Sequence, residues 1–199
     1  MRLLVDSDIF CKLGVAGLLG DALAIMGVDV ADCGLLPALP HMLRRGRLPN
    51  LYGGASCLAL LPMTAAAAPL PRVDAKWLDP LSGIQGIDPG DALLLGAAAQ
   101  YSLVLVTGDK RALAGVAGVG GYAGALAGRV VVLEALLLAL CHRLGLEETA
   151  KKVAVLEATD QLIRICFSPG NTDPQVALRS YYQALATEVE PLVLWKPEG

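Results

Sequence analysis

Four aspartates stand where chemistry is easiest to read. Asp6 follows the apolar run Leu3-Leu4-Val5, and Asp8 comes two residues later. Asp91 closes Asp88-Pro89-Gly90-Asp91, and Asp109 follows Leu103-Val104-Leu105-Val106-Thr107-Gly108. Acids that end parallel strands share one edge of the sheet, and ligands of open α/β folds bind in the crevice outside that edge. Carboxylates crowded there repel one another unless a hard cation such as Mg2+ or Mn2+ is bound. Each also has a structural use: Asp8 as a helix cap, Asp91 as the partner of Asp88 in a capping pair, and Asp109 as a turn residue. His41 and His142 lie outside these motifs, so there is no histidine constellation for cleavage without metal.

The elements that must position these acids follow from pattern. Leu3-Leu4-Val5 reads as a short strand, and residues 9–26 as an amphipathic helix or a pair of helical turns capped by Ser7 or Asp8. A second strand is expected near residues 28–30, then helix over 35–45. Residues 48–85 are expected as two or three short helices broken at Pro62, Pro69 and Pro80. Asp88 fits an N-cap, Pro89 the first helical position and Asp91 the third, which opens a helix to about Gln100.

Leu103 to Thr107 and Val130 to Leu133 are unbroken apolar runs, as expected of strands buried on both faces, and Glu134 opens a further helix through Leu144. Strand alternating with helix predicts a parallel α/β sheet with right-handed crossovers. Residues 146–167 read as one helix. A second helix starts at Asp173-Pro174 and runs to about Thr187, and Val193-Leu194-Trp195 reads as an anchoring tail. Residues 1–144 therefore form the expected core domain and 145–199 a helical extension packed on it.

The net charge of −3 argues against grip on nucleic acid through global positive potential, and leaves local patches at Arg44, Arg45 and Arg47, at Lys110-Arg111 and at Lys151-Lys152. The five cysteines are scattered without a C-x-x-C pair, which reads as buried reduced thiols and a cytoplasmic setting. Residues 48–71 carry no charge, yet Pro49, Pro62 and Pro69 and the paired Gly53-Gly54 argue against a membrane span. Gly118-Val119-Gly120-Gly121-Tyr122-Ala123 matches a dinucleotide-loop pattern, but no strand directly precedes it, so no nucleotide cofactor is expected.

Leu4-Val5-Asp6-Ser7-Asp8, then Asp88-Pro89-Gly90-Asp91-Ala92, then Leu105-Val106-Thr107-Gly108-Asp109 resemble the PIN-domain family in order and spacing, with Asp109 18 positions after Asp91. The resemblance covers about residues 2–140. It implies a three-layer fold with a central parallel sheet flanked by helices, and a metal-dependent ribonuclease using Mg2+ or Mn2+. It also implies Asp6, Asp91 and Asp109 as ligands, Asp8 as a partner behind them, and Thr107 as a positioning hydroxyl. RNA would be met by Arg44, Arg45, Arg47 and Lys110. The resemblance further implies a homodimer and an inhibitory protein partner.

The family usually carries a second acid 30 to 40 residues after the first, whereas residues 35–73 contain none; Asp32 is the nearest stand-in and Asp29 the next. A PIN-like module that binds RNA or protein without cleaving is the alternative this departure raises. Asp6-Ser7-Asp8 is also similar to the opening of haloacid-dehalogenase-type phosphatases, although Phe10-Cys11 departs from the residues that family places after its second Asp.

Overall fold

The computed structural model describes residues 2–197. Strand β1 (Leu3–Val5) leads into helices α1 (Ser7–Val15) and α2 (Leu19–Ile25), and the chain then enters β2 (Cys33–Gly34). A series of short helices follows: α3 (Leu39–Met42), α4 (Arg47–Tyr52), α5 (Gly54–Ala59), α6 (Leu61–Ala66) and α7 (Ala75–Leu78). Helix α8 (Pro89–Tyr101) feeds β3 (Val104–Thr107). Then come α9 (Lys110–Ala117), α10 (Tyr122–Leu126), β4 (Val130–Val132) and α11 (Leu133–Leu144). The chain continues through α12 (Leu146–Val153), α13 (Gln161–Cys166) and α14 (Pro174–Glu188).

The four strands form one sheet in the order β2-β1-β3-β4, with every neighbouring pair parallel. Successive side chains leave a strand on opposite faces. Leu3, Val5, Val106 and Val131 accordingly enter one hydrophobic cluster with α1, α2 and most of α11, while Leu4, Leu105, Val130 and Val132 enter another with α8, α9 and α10. The fold is α/β, a four-stranded parallel sheet between two helical layers.

The extension contributes to both clusters, with Val153, Ile163, Cys166 and Leu178 on one side and Leu185, Val189, Leu192 and Leu194 on the other. The rims of the sheet are also occupied. The Ala68 N–H donates to Cys33 O at 2.8 Å beside β2, and the Trp195 N–H donates to Val130 O at 2.8 Å beside β4.

The structure departs from the sequence expectation in four places, the first being residues 48–85, where four short helices, α4 to α7, stand instead of two or three and Pro62 lies in the first turn of α6 rather than at a break. The second strand falls at Cys33–Gly34, preceded by a 3-10 turn over Val30–Asp32, because a two-residue strand carries no alternation to read. The helix expected over 35–45 shrinks to Leu39–Met42. The single helix expected over 146–167 is broken after a 3-10 turn at Ala154–Leu156 and restarts at Asp160, whose side chain accepts from Ile163 N at 3.0 Å as an N-cap. No described helix is long and apolar enough to cross a membrane, and all five cysteines are buried and unpaired.

Candidate functional site

Asp6 leaves β1 at its carboxyl end, where its N–H donates to Val106 O at 2.9 Å. Because β3 is parallel to β1, the turn Thr107-Gly108-Asp109 leaves the sheet at the same edge. That turn is rigid. The buried Thr107 hydroxyl oxygen accepts the Asp109 N–H at 3.1 Å, and Asp109 Oδ1 accepts Arg111 N at 2.9 Å and Ala112 N at 3.0 Å, capping α9. Asp91 arrives through a reciprocal cap: its N–H donates to Asp88 Oδ1 at 2.8 Å and its Oδ2 accepts Asp88 N at 3.1 Å. Helix α8 thereby starts beside the carboxyl end of β3, where Asp91 and Thr107 line one small crevice. Capping and convergence are compatible, since each cap uses one carboxylate oxygen and leaves the other.

Asp6, Asp8 and Asp109 line a cavity of about 300 Å³ with Arg47, Lys110 and Arg111. Burial, then the charges of Asp8 and Asp91, push the Asp6 carboxyl up to about 7, against the partial relief of the Ser7 and Asp8 N–H groups. Asp91 rises to about 6, chiefly through burial, with Asp88 and Asp109 adding repulsion. Asp6 thus feels the charge of Asp91, and Asp91 that of Asp109. They are gathered but not drawn together: among the described residues, no three His, Cys, Asp or Glu side chains converge closely enough to hold a metal ion.

Asp8 is committed elsewhere. Its Oδ1 accepts the Tyr52 hydroxyl at 2.6 Å and its Oδ2 meets Lys12 Nζ at 2.7 Å. The Tyr52 hydroxyl is raised by burial and by donating to Asp8. Lys12 also reaches Asp160 Oδ2 at 2.6 Å, and that side chain, delivered by the break before α13, is only 6% exposed. Burial alone would lower the Lys12 ammonium, but Asp8 and Asp160 outweigh it and raise it. Lys110 meets Glu134 Oε1 at 2.6 Å, where the Glu134 side chain is 2% exposed at the start of α11.

Other residues expected at the site stand apart. Asp32 lies at the amino edge, because it precedes β2 and β2 runs parallel to β1. There it pairs with Arg2 at 3.4 Å, on the opposite rim from Asp6; Asp29 precedes it on the same rim. Arg44 is exposed and donates to Pro40 O, and neither it nor the exposed Arg45 lines the acidic cavity, which Arg47 does. The segment expected to carry a second acid brings Arg47 and Tyr52 instead.

Sequence reasoning passed over Lys12, Tyr52, Glu134 and Asp160. Glu134 was accessible to the rule that picked out Asp6 and Asp109, since it too follows a parallel strand, and Lys12 sits one helical turn after Asp8. Tyr52 leaves no local signal, and Asp160 shows locally only as a cap for α13, because the ion-pair and hydrogen-bond partners that bring them to this rim are distant in the chain.

Against models of known families, curated proteins and solved structures, the chain finds no match. The donor chemistry, though not the spacing, is of the kind a hard cation takes: Asp6, Asp91 and Asp109 each keep a carboxylate oxygen free of capping, and burial with neighbouring aspartates holds Asp6 and Asp91 above the usual carboxylate range. It does not suit two ions, because Asp8 is already neutralised by Lys12.

Proposed function

We propose that the chain is a metal-dependent endoribonuclease of PIN type that hydrolyses RNA phosphodiesters at the carboxyl edge of its sheet. The observation that carries this reading is the delivery of Asp6, Asp91 and Asp109 by three separate elements to one rim, where burial and neighbouring aspartates raise the proton affinity of Asp6 and Asp91. A bound Mg2+ or Mn2+ would supply water of lowered pKa and charge to offset the phosphate.

The chain's own residues supply the rest. Asp6 must lose its proton to serve, so divalent-ion binding is coupled to proton release near neutral pH. The two N–H groups on Asp109 Oδ1 hold that carboxylate in one orientation. Arg47, Lys110 and Arg111 line the same cavity and offer charge to a phosphate. The unpaired, buried thiols support a reducing, cytoplasmic setting.

A second reading, a PIN-like module that binds RNA or protein without cleaving it, is favoured by Arg47. It lines the acidic cavity with Asp6, Asp8 and Asp109, a cation where a second acid was expected. Calorimetric titration with Mn2+, paired with cleavage of single-stranded RNA, separates the two. The nuclease reading expects one Mn2+ per chain, cleavage stopped by chelator, and loss of both in Asp6→Asn. Cleavage that persists in excess chelator sinks the metal mechanism, and RNA binding without Mn2+ uptake or cleavage leaves the binding module.

A further inference from the structure

The groove between α11, α14 and the stretch that follows α14 holds a cavity of about 860 Å³, in the upper part of the range usual for small-molecule sites. It shares no lining residue with the acidic cavity. Its walls follow from spacing. On α14, Gln175, Arg179, Gln183 and Thr187 recur every four residues and so share one face, about 18 Å long. On α11, Leu138 and His142 stand one turn apart and form the second wall. Residues 190–197 form the third and are fixed in place. The Gly128 N–H donates to Val193 O at 2.7 Å, the Trp195 N–H to Val130 O at 2.8 Å, and the Tyr182 hydroxyl to Trp195 O at 3.1 Å.

Two features of this groove select a ligand, and the first is charge. Arg179 and Lys196 line it, and neither enters an ion pair among the described residues. Glu190 is the one acid on the walls, and it lies beyond ion-pair distance of both. The pocket beside the acidic cavity behaves differently: it also holds two cations, Lys12 and Lys110, but Asp160 and Glu134 answer them at 2.6 Å. In a chain of net charge −3, cations left unanswered on the walls of one groove offer their charge to an anion.

The second feature is apolar surface. Val193 is 54% exposed, and the half-buried Ala186 and Tyr182 continue that surface along α14. The Tyr182 hydroxyl is already committed to Trp195, which leaves the ring as its contribution to the groove. Such a surface takes the body of a ligand rather than a bare ion.

We propose that this groove binds a small organic anion with an apolar body, its charged group at Arg179 and Lys196 and its body along Ala186, Tyr182 and Val193. Inorganic sulfate or phosphate meets only the first feature, and a neutral apolar molecule only the second. The site does not depend on the nuclease reading.

Anilinonaphthalene sulfonate carries both features and fluoresces when its rings leave water. Titrated into the full chain at neutral pH, it should bind at one site per chain. N-phenylnaphthylamine, the same ring body without the sulfonate, should bind about tenfold more weakly, as loss of a charge-assisted contact implies. Sulfate at equal concentration should not displace the dye. Arg179→Gln with Lys196→Gln should weaken the charged dye about tenfold, to the level of the neutral one. Val193→Asp should weaken both dyes, since it places a charge against the ring body. That exposed position keeps the test sound if the double variant does not fold, which circular dichroism checks. Arg164→Gln removes an exposed cation outside the groove and should change neither affinity.

Equal affinity for the charged and neutral dyes overturns the site, as does charged-dye affinity unmoved by both groove variants. Displacement by sulfate at equal concentration reduces it to a plain anion contact and overturns the apolar half. Displacement by a uridine oligoribonucleotide overturns it in favour of a groove for RNA.

Discussion

Two groups of acids share the carboxyl rim of this sheet. Asp8, Asp160 and Glu134 each meet a lysine ammonium within 2.7 Å, whereas Asp6 and Asp91 meet no lysine or arginine among the described residues and are raised first by burial and then by neighbouring aspartates. The first group is the more thoroughly satisfied, although Asp160 and Glu134 are among the most buried carboxylates of the chain. Burial alone therefore does not mark a carboxylate as available to an external cation. What matters is whether the protein answers the charge internally, and Lys12 and Lys110 do so for one group and leave the other open.

The largest test of that contrast removes the segment that supplies Asp160. Ending the chain after Leu144 strips Leu178, Leu185, Val189 and Leu192 from the two hydrophobic clusters and leaves Lys12 with half its partners. The fragment should aggregate rather than elute as a folded monomer. A monodisperse 1–144 fragment with native circular dichroism would show that the extension is dispensable for the rim.

Next in size is Lys12→Met. Removing one member of a buried ion pair strands the other, at a cost of about 3–5 kcal/mol. Urea denaturation at pH 7 should show that loss. The double change Lys12→Met with Asp160→Asn should recover most of it, because the cap acceptor for Ile163 N is kept and the buried charge at 160 is gone. Lys12→Met as stable as the parent would mean that the internal neutralisation is cosmetic.

Asp6→Asn should act with the opposite sign. Folded Asp6 holds its proton up to about pH 7, while an unfolded Asp releases it near 3.9. In that window the unfolded chain gives up a proton that the folded chain keeps, so the metal-free protein loses stability as pH rises from about 4 to about 7 and then levels off. The variant should match the parent at pH 4 and exceed it by roughly 2 kcal/mol at pH 8, allowing for solvent access to the rim. Melts across that range read the difference. A variant less stable at pH 8 would make Asp6 a structural acceptor instead.

The smallest effect concerns the arginines. Arg47→Ala should weaken RNA binding and reduce the slope of log affinity against log salt by about one, the signature of one lost phosphate contact. Arg44→Ala and Arg45→Ala should change it less, since neither residue lines the acidic cavity. Equal effects from all three would point to a diffuse surface rather than a site.

The legibility of these features followed their locality. The Asp88 and Asp91 capping box with Pro89 between them was readable because every partner lies within three residues. Strands β3 and β4 were readable because burial on both faces forces unbroken apolar runs. The break at residues 157–160 was not. Apolar spacing continues through Leu156 and Ile163 and hides the break, although Asp160 caps α13 locally; its ion pair with Lys12, almost 150 residues earlier, has no local trace. Arg47 was picked out for its charge, but its place among aspartates depends on how α4 packs on α1, which no local pattern records.

Both borders of the sheet carry a passing stretch of backbone: Ala68 hydrogen-bonds beside β2, and Leu194 and Trp195 run beside β4. A bare border would be a template for a second copy to add its own strand, the commonest start of unwanted self-association in open sheets. Here both borders are spoken for within one chain. Strand addition by a second copy is thereby blocked at Gly34 and Val130, and a fusion that pulls residues 193–195 away from β4 would reopen one border to strand exchange.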